Sequence, residues 1–119
     1  IHPIRSVEGD ASDGVLRLTF IGDTDRRGAG QLAADLASIL EQAEKPLLIL
    51  WDDTRGGKAS SDARKVYADF NRDPRVGKVA IFGAQRYGFV LGEFVLKLTG
   101  RDNVRFFNNE TEARAWLLA

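Results

Sequence analysis

Asp52 and Asp53 close the apolar run Leu47 to Trp51, and the segment TRGGKAS at 54–60 leads on from them into an amphipathic stretch. Carboxylates at the carboxyl end of a buried strand stand where open α/β sheets place ligands. With Asp23 and Asp25 they are candidates for holding a hard cation, but an oxygen-only site needs several converging ligands, and this spacing matches no known metal loop. They are read as solvated strand ends, and no metal is expected. Gly56 to Ser60, GGKAS, resembles only the tail of a nucleotide phosphate loop. An aspartate stands where that loop has its first glycine, and Ala59 replaces its hydroxyl residue, so nucleotide hydrolysis is not expected. A narrower chemistry remains. Amides opening the next helix, with Arg55, Lys58, Ser60 and Ser61 nearby, make a candidate phosphoryl or anion site. The competing reading is that Ser60 or Ser61 caps the helix.

GAGQLA, with Gly28, Gly30 and Ala33, has the relaxed dinucleotide spacing, and acidic Asp52 ends the next strand. That fingerprint begins where a parallel strand turns directly into its helix, whereas Asp23 to Arg27 intervene here and the preceding strand reads as half of a hairpin. The glycines are read as a loop entering a helix, and no cofactor is expected. His2 is the one histidine and lies at the chain end, so no triad can be built on it. The absence of cysteine removes thiol nucleophiles and cysteine-ligated zinc. No catalytic set emerges, and the chain is not read as an enzyme.

The elements that carry these residues follow from periodicity. Ile4 to Val7 and the alternating strand Val15 to Ile21 are expected to pair as an edge hairpin. Leu32, Leu36, Ile39, Leu40 and Ala43 mark a helix ending before Pro46, and Leu47 to Trp51 is the central buried strand. Ala63, Val66, Tyr67 and Phe70 give a second helix that stops before Asp73-Pro74. Val76 to Phe82 and Val104 to Phe107 are further strands. Between them Tyr87, Val90, Leu91, Phe94, Val95 and Leu98 recur at helical spacing before Gly100. Asn109 with Glu112 caps a last helix carrying Ala113, Trp116 and Leu117. The expected fold is one α/β domain over 1–119, order ββαβαβαβα, with four helices on a five-stranded, mixed but mostly parallel sheet.

Composition narrows the partners. Lysine plus arginine and aspartate plus glutamate number 17 each, so zero net charge gives no electrostatic footprint for nucleic acid or anionic membrane. No apolar run reaches the ~20 residues of a membrane span, and there is no signal peptide, so a cytoplasmic protein is expected. With Ile1 first and no methionine anywhere, the sequence reads as trimmed or as cut from a longer chain.

The words VAIFG, LTGRDNVRFF and ETEARAWL, separated by an apolar-faced helix, resemble the C-terminal half of small bacterial SpoIIAA-like domains, which are grouped with STAS and CRAL-TRIO folds. The resemblance implies the order of elements given above. It also implies a non-catalytic regulatory or protein-interaction module whose partner is another protein or a second copy of itself. CRAL-TRIO kinship implies an alternative, a carrier of a small apolar, lipid-like ligand. STAS anti-sigma factor antagonists carry a phosphorylatable serine between the central strand and the second helix, in an Asp-Ser-Ser/Thr-Gly context. Ser60 and Ser61 occupy that place, with Ala59 for the aspartate and Asp62 for the glycine. On the helix expected over Tyr87 to Leu98, Phe89 and Leu96 fall opposite the apolar face, a candidate contact surface for a second copy or a ligand.

Overall fold

The computed structural model describes residues 4–10, 15–42, 45–83, 97, 100 and 102–119, with backbone only for 4–10. The strands are β1 (Ile4–Asp10), β2 (Val15–Thr24), β3 (Leu47–Ala59), β4 (Val76–Phe82) and β5 (Val104–Phe107). The helices are α1 (Arg26–Gln42), α2 (Ser61–Asn71) and α3 (Glu110–Leu118). The strands lie side by side in chain order, β1-β2-β3-β4-β5.

This corrects the expected fold. The body of the sheet is four strands, β2 to β5, every neighbouring pair parallel, and the described helices number three rather than four. β1 lies antiparallel along the outer edge of β2. β2 is thus more than half of a hairpin, because it runs through α1 into a parallel crossover to β3. The polar residues that make β2 look half-wet lie on a face that is covered: Arg17, at 24% side-chain exposure, is ion-paired there rather than solvated. The helix expected over Tyr87 to Leu98, and with it Phe89 and Leu96, lies outside the described residues.

Period-2 alternation gives the sheet two apolar faces. Leu16, Leu18, Phe20, Ile49, Val79 and Ile81 face the layer of α1 and α2, which contribute Leu32, Leu36, Leu40, Ala63 and Tyr67. Val15, Leu50, Ala80 and Phe82 face α3, which contributes Ala113 and Leu117 one turn apart. An aromatic cluster sits at the top of the first face. Phe20 stacks on Trp51 with centroids 4.2 Å apart, and Tyr67 of α2 meets Trp51 edge-on at 5.3 Å.

Both later helices begin where a side chain replaces a missing backbone acceptor. Ser60 Oγ accepts from Ala63 N at 3.1 Å, and Asn109 Oδ1 accepts from Glu112 N at 2.9 Å. Asp62 in the first turn of α2, and Glu110 and Glu112 in that of α3, complement the positive helix ends.

Candidate functional site at the junction of β3 and α2

The expected loop TRGGKAS is strand almost to its end. β3 runs to Ala59 because the ladder to β2 continues through two irregularities. Opposite Thr19 and Ile21, β3 supplies Asp52 and Arg55, and opposite Gly22 and Thr24 it supplies Gly56 and Ala59. Each interval holds one extra residue on β3, the signature of a β-bulge.

A carboxylate tends each bulge. Asp52 Oδ1 accepts from Thr54 N at 3.0 Å and from Thr54 Oγ1 at 2.6 Å. Asp23 Oδ1 accepts from Lys58 N at 2.7 Å. The glycine pair makes room for Asp53 and Asp23. A Cβ on Gly56 would stand 1.9 Å from Asp53 Oδ1, and one on Gly57 would stand 2.2 Å from Asp23 Oδ1. Glycines that read as loop punctuation are therefore glycines of close approach.

Asp52 and Asp53 are buried, at 8% and 7% exposure, and do not form one solvated cluster. Asp52 turns to the α3 face, where its Oδ2 lies 2.7 Å from Arg17 Nη2. Arg17 also pairs with Glu110 at the start of α3, and Glu110 is held on its other oxygen by Arg114 at 3.1 Å. The Arg17 hydrogen bond, supported by Arg114, keeps the Glu110 carboxyl below its ordinary range. Asp53 turns the other way and bonds the Trp51 side chain. Burial pushes its pKa up to about 6; the Trp51 hydrogen bond opposes the rise, and the Asp52 charge adds to it.

From β3 the chain enters α2 without a loop. Ser60 N donates to Thr24 O at 2.9 Å, which sets the start of α2 beside the start of α1. Asp25 begins α1 by accepting from Gly28 N at 2.9 Å. Gly28 and Gly30 of the dinucleotide-like motif lie inside α1, not in a turn before it, so its spacing makes no phosphate-cradling bend. Around the junction Arg55, Lys58, Ser60, Ser61 and Asp62 are exposed. The junction is therefore a ledge: two helix N-termini, a capping serine, an exposed serine at the first helical position and a margin of cations.

The Arg17–Asp52–Glu110–Arg114 network is not legible in the sequence. The available signal was an arginine inside an otherwise apolar alternating strand, but its partners are remote in sequence. Among the described residues no three or more histidine, cysteine, aspartate or glutamate side chains gather to hold a metal. No described helix is long and apolar enough to cross a membrane. Leu18, Leu36, Ile49, Phe70, Val79 and Ile81 help to line an apolar cavity of about 40 Å³ between the sheet and the α1–α2 layer. A cavity that holds benzene is ~150 Å³, so this space is too small for a lipid-like ligand.

The SpoIIAA-like family model matches residues 15–118. Among curated proteins none matches. Solved structures of this shape include an uncharacterized protein of the DUF3478 family with a SpoIIAA-like fold from Shewanella loihica PV-4. It is 20% identical, with a TM-score of 0.71 over 98% of this chain and 94% of that one. The anti-sigma factor antagonist SpoIIAA in its unphosphorylated form is 12% identical, with a TM-score of 0.66 over 94% of both chains. A serine-to-glutamate variant of Moorella thermoacetica RsbS is 12% identical, with a TM-score of 0.67 over 94% of this chain and 92% of that one.

Proposed function

The chain belongs to the SpoIIAA-like family, and on that premise we propose that it is a non-catalytic regulatory module that docks a protein partner on the ledge where β3 meets α2. The observation that carries this reading is the Ser60–Ser61 junction. A capping serine and an exposed serine open a helix whose start is fixed to Thr24 and flanked by exposed Arg55 and Lys58. Two proteins of the same fold, one an anti-sigma factor antagonist solved unphosphorylated and one carrying a serine-to-glutamate change, support regulation by negative charge in such a module. In this chain a phosphate on Ser61 would gain from the α2 N-terminus and from Arg55 and Lys58, and would lose to Asp62 beside it.

The test uses substitutions that spare the fold. Aspartate is as good an N-cap as serine and is favourable in a first turn, so Ser60→Asp and Ser61→Asp should leave the melting temperature nearly unchanged. Ser60→Ala should cost about 1 kcal/mol. A partner is isolated by co-purification from the source cells, and calorimetric titration then compares its affinity for wild type and both aspartate variants. A change of tenfold or more in at least one variant is the expected result. Equal affinity for all three would place the docking surface elsewhere and sink this reading.

A further inference from the structure

Many of the described cations are held by a partner. Arg17, Arg72, Arg75 and Arg114 are each paired with a carboxylate. Lys78 donates to Trp116 O at 3.0 Å, and Arg105 lies over the Trp116 ring. Lys45 and Lys97 differ, and so do four cations carried by neighbouring elements, Arg26, Arg27, Arg55 and Lys65. All four are exposed, and none enters an ion pair among the described residues. Arg26 and Arg27 begin α1, Arg55 lies in the bulged end of β3, and Lys65 lies in the second turn of α2. The Ser60–Thr24 backbone bond brings these elements to one end of the molecule.

Two further features strengthen the positive field there. The N-terminal ends of α1 and α2 each present partial positive charge, and they stand side by side. The nearby acids Asp23 and Asp25 are exposed, but each has a side-chain oxygen committed to a backbone amide, of Lys58 and Gly28 respectively, which offsets part of its charge. Exposed Arg26, Arg27, Arg55, Lys58 and Lys65 outnumber exposed Asp23, Asp25 and Asp62, so this end is locally basic on a chain that is neutral as a whole.

We infer that this end of the molecule recognises an acidic segment of a protein partner, with Arg26, Arg27, Arg55 and Lys65 supplying the complementary charge. This rests on the docking surface proposed above and adds the chemistry of what docks there. Nucleic acid is the poorer fit. The cations are interspersed with Asp23, Asp25 and Asp62, which a continuous phosphate backbone would meet at close range. A peptide bearing spaced carboxylates can place them opposite the cations alone, and steering by such a field accelerates encounter.

The probe is a fluorescein-labelled peptide of alternating glutamate and glycine, followed by anisotropy with the purified chain from low to physiological salt. The expected result is saturable binding that weakens as salt rises and falls at least tenfold in Arg55→Glu/Lys65→Glu and in Arg26→Glu/Arg27→Glu. Lys45→Glu, an exposed cation away from this end, should leave it unchanged. Circular dichroism melts confirm that the variants fold. No binding at low salt, equal loss in Lys45→Glu, or preferential binding of an RNA hairpin over the peptide would overturn the inference. The protein reading fails separately: a partner that responds to Ser61→Asp but not to the charge reversals leaves the ledge as docking surface and removes only its acidic ligand.

Discussion

At pH 8, Asp53→Asn is expected to raise the free energy of unfolding, by up to about 3 kcal/mol. Asp53 is 7% exposed, its carboxyl held between the Trp51 side chain and the space that Gly56 leaves open. Its pKa is raised from the ordinary 3.8 to about 6. The folded state therefore holds a proton on this group more tightly than the unfolded chain does. The stability that this proton confers is complete below the unfolded value and is lost as pH rises through the folded value. Urea unfolding of the wild type from pH 4 to pH 8 should thus show stability falling across the interval from 3.8 to about 6. The asparagine variant should be nearly flat there, since its amide can accept the Trp51 bond without bearing charge. Glu110 acts in the opposite sense from its ordinary 4.5 downward, overlapping only the acid end of this window, because its lowered pKa stabilises the fold only while it is ionised. A wild-type profile that rises with pH across the interval would mean that Asp53 finds a cation when ionised.

The second large effect is on the other face of the same strand. Arg17→Met should cost roughly 2 to 3 kcal/mol, below the 3–5 kcal/mol typical when a fully buried pair loses one member, because Arg17 retains 24% side-chain exposure. The methionine keeps the apolar stem over Phe82 but leaves Asp52 without its cation and Glu110 with Arg114 alone. Arg17→Met/Asp52→Asn should recover most of the loss, since the asparagine oxygen can still serve Thr54 N and the charge that lost its partner is gone. Chemical denaturation of the four proteins of this cycle measures it. A loss under 0.5 kcal/mol for the single variant would class the pair with exposed surface bridges.

What the sequence discloses and what it conceals divide by range. Ser60 with Ala63 and Asn109 with Glu112 lie three residues apart, and residue type alone suggests such caps. The apolar runs at Leu47 to Trp51 and Val76 to Phe82 are readable because each is buried by the same local alternation on two covered faces. Arg17 and Glu110 stand 93 residues apart, so no local pattern announces that an arginine in β2 will meet the first turn of α3. The extension of β3 through Gly56 and Gly57 is hidden for another reason. It is held by a ladder to Ile21–Thr24 and by two aspartates at bulges, not by apolar periodicity, so it presents the composition of a loop. The acids Asp52 and Asp53 suffer from the same concealment. Charge argued for solvent, whereas the strand carries one to each face and the surrounding layers bury both.

Amide hydrogen exchange on the complex with a co-purified partner most directly tests docking at the junction of β3 and α2. The expected result is new protection concentrated at Arg55–Lys65 and at Thr24–Gly28, with α3 and the outer edge of β1 exchanging as in the free protein. Protection confined to β1 or to α3, with the β3–α2 junction unchanged, would contradict it.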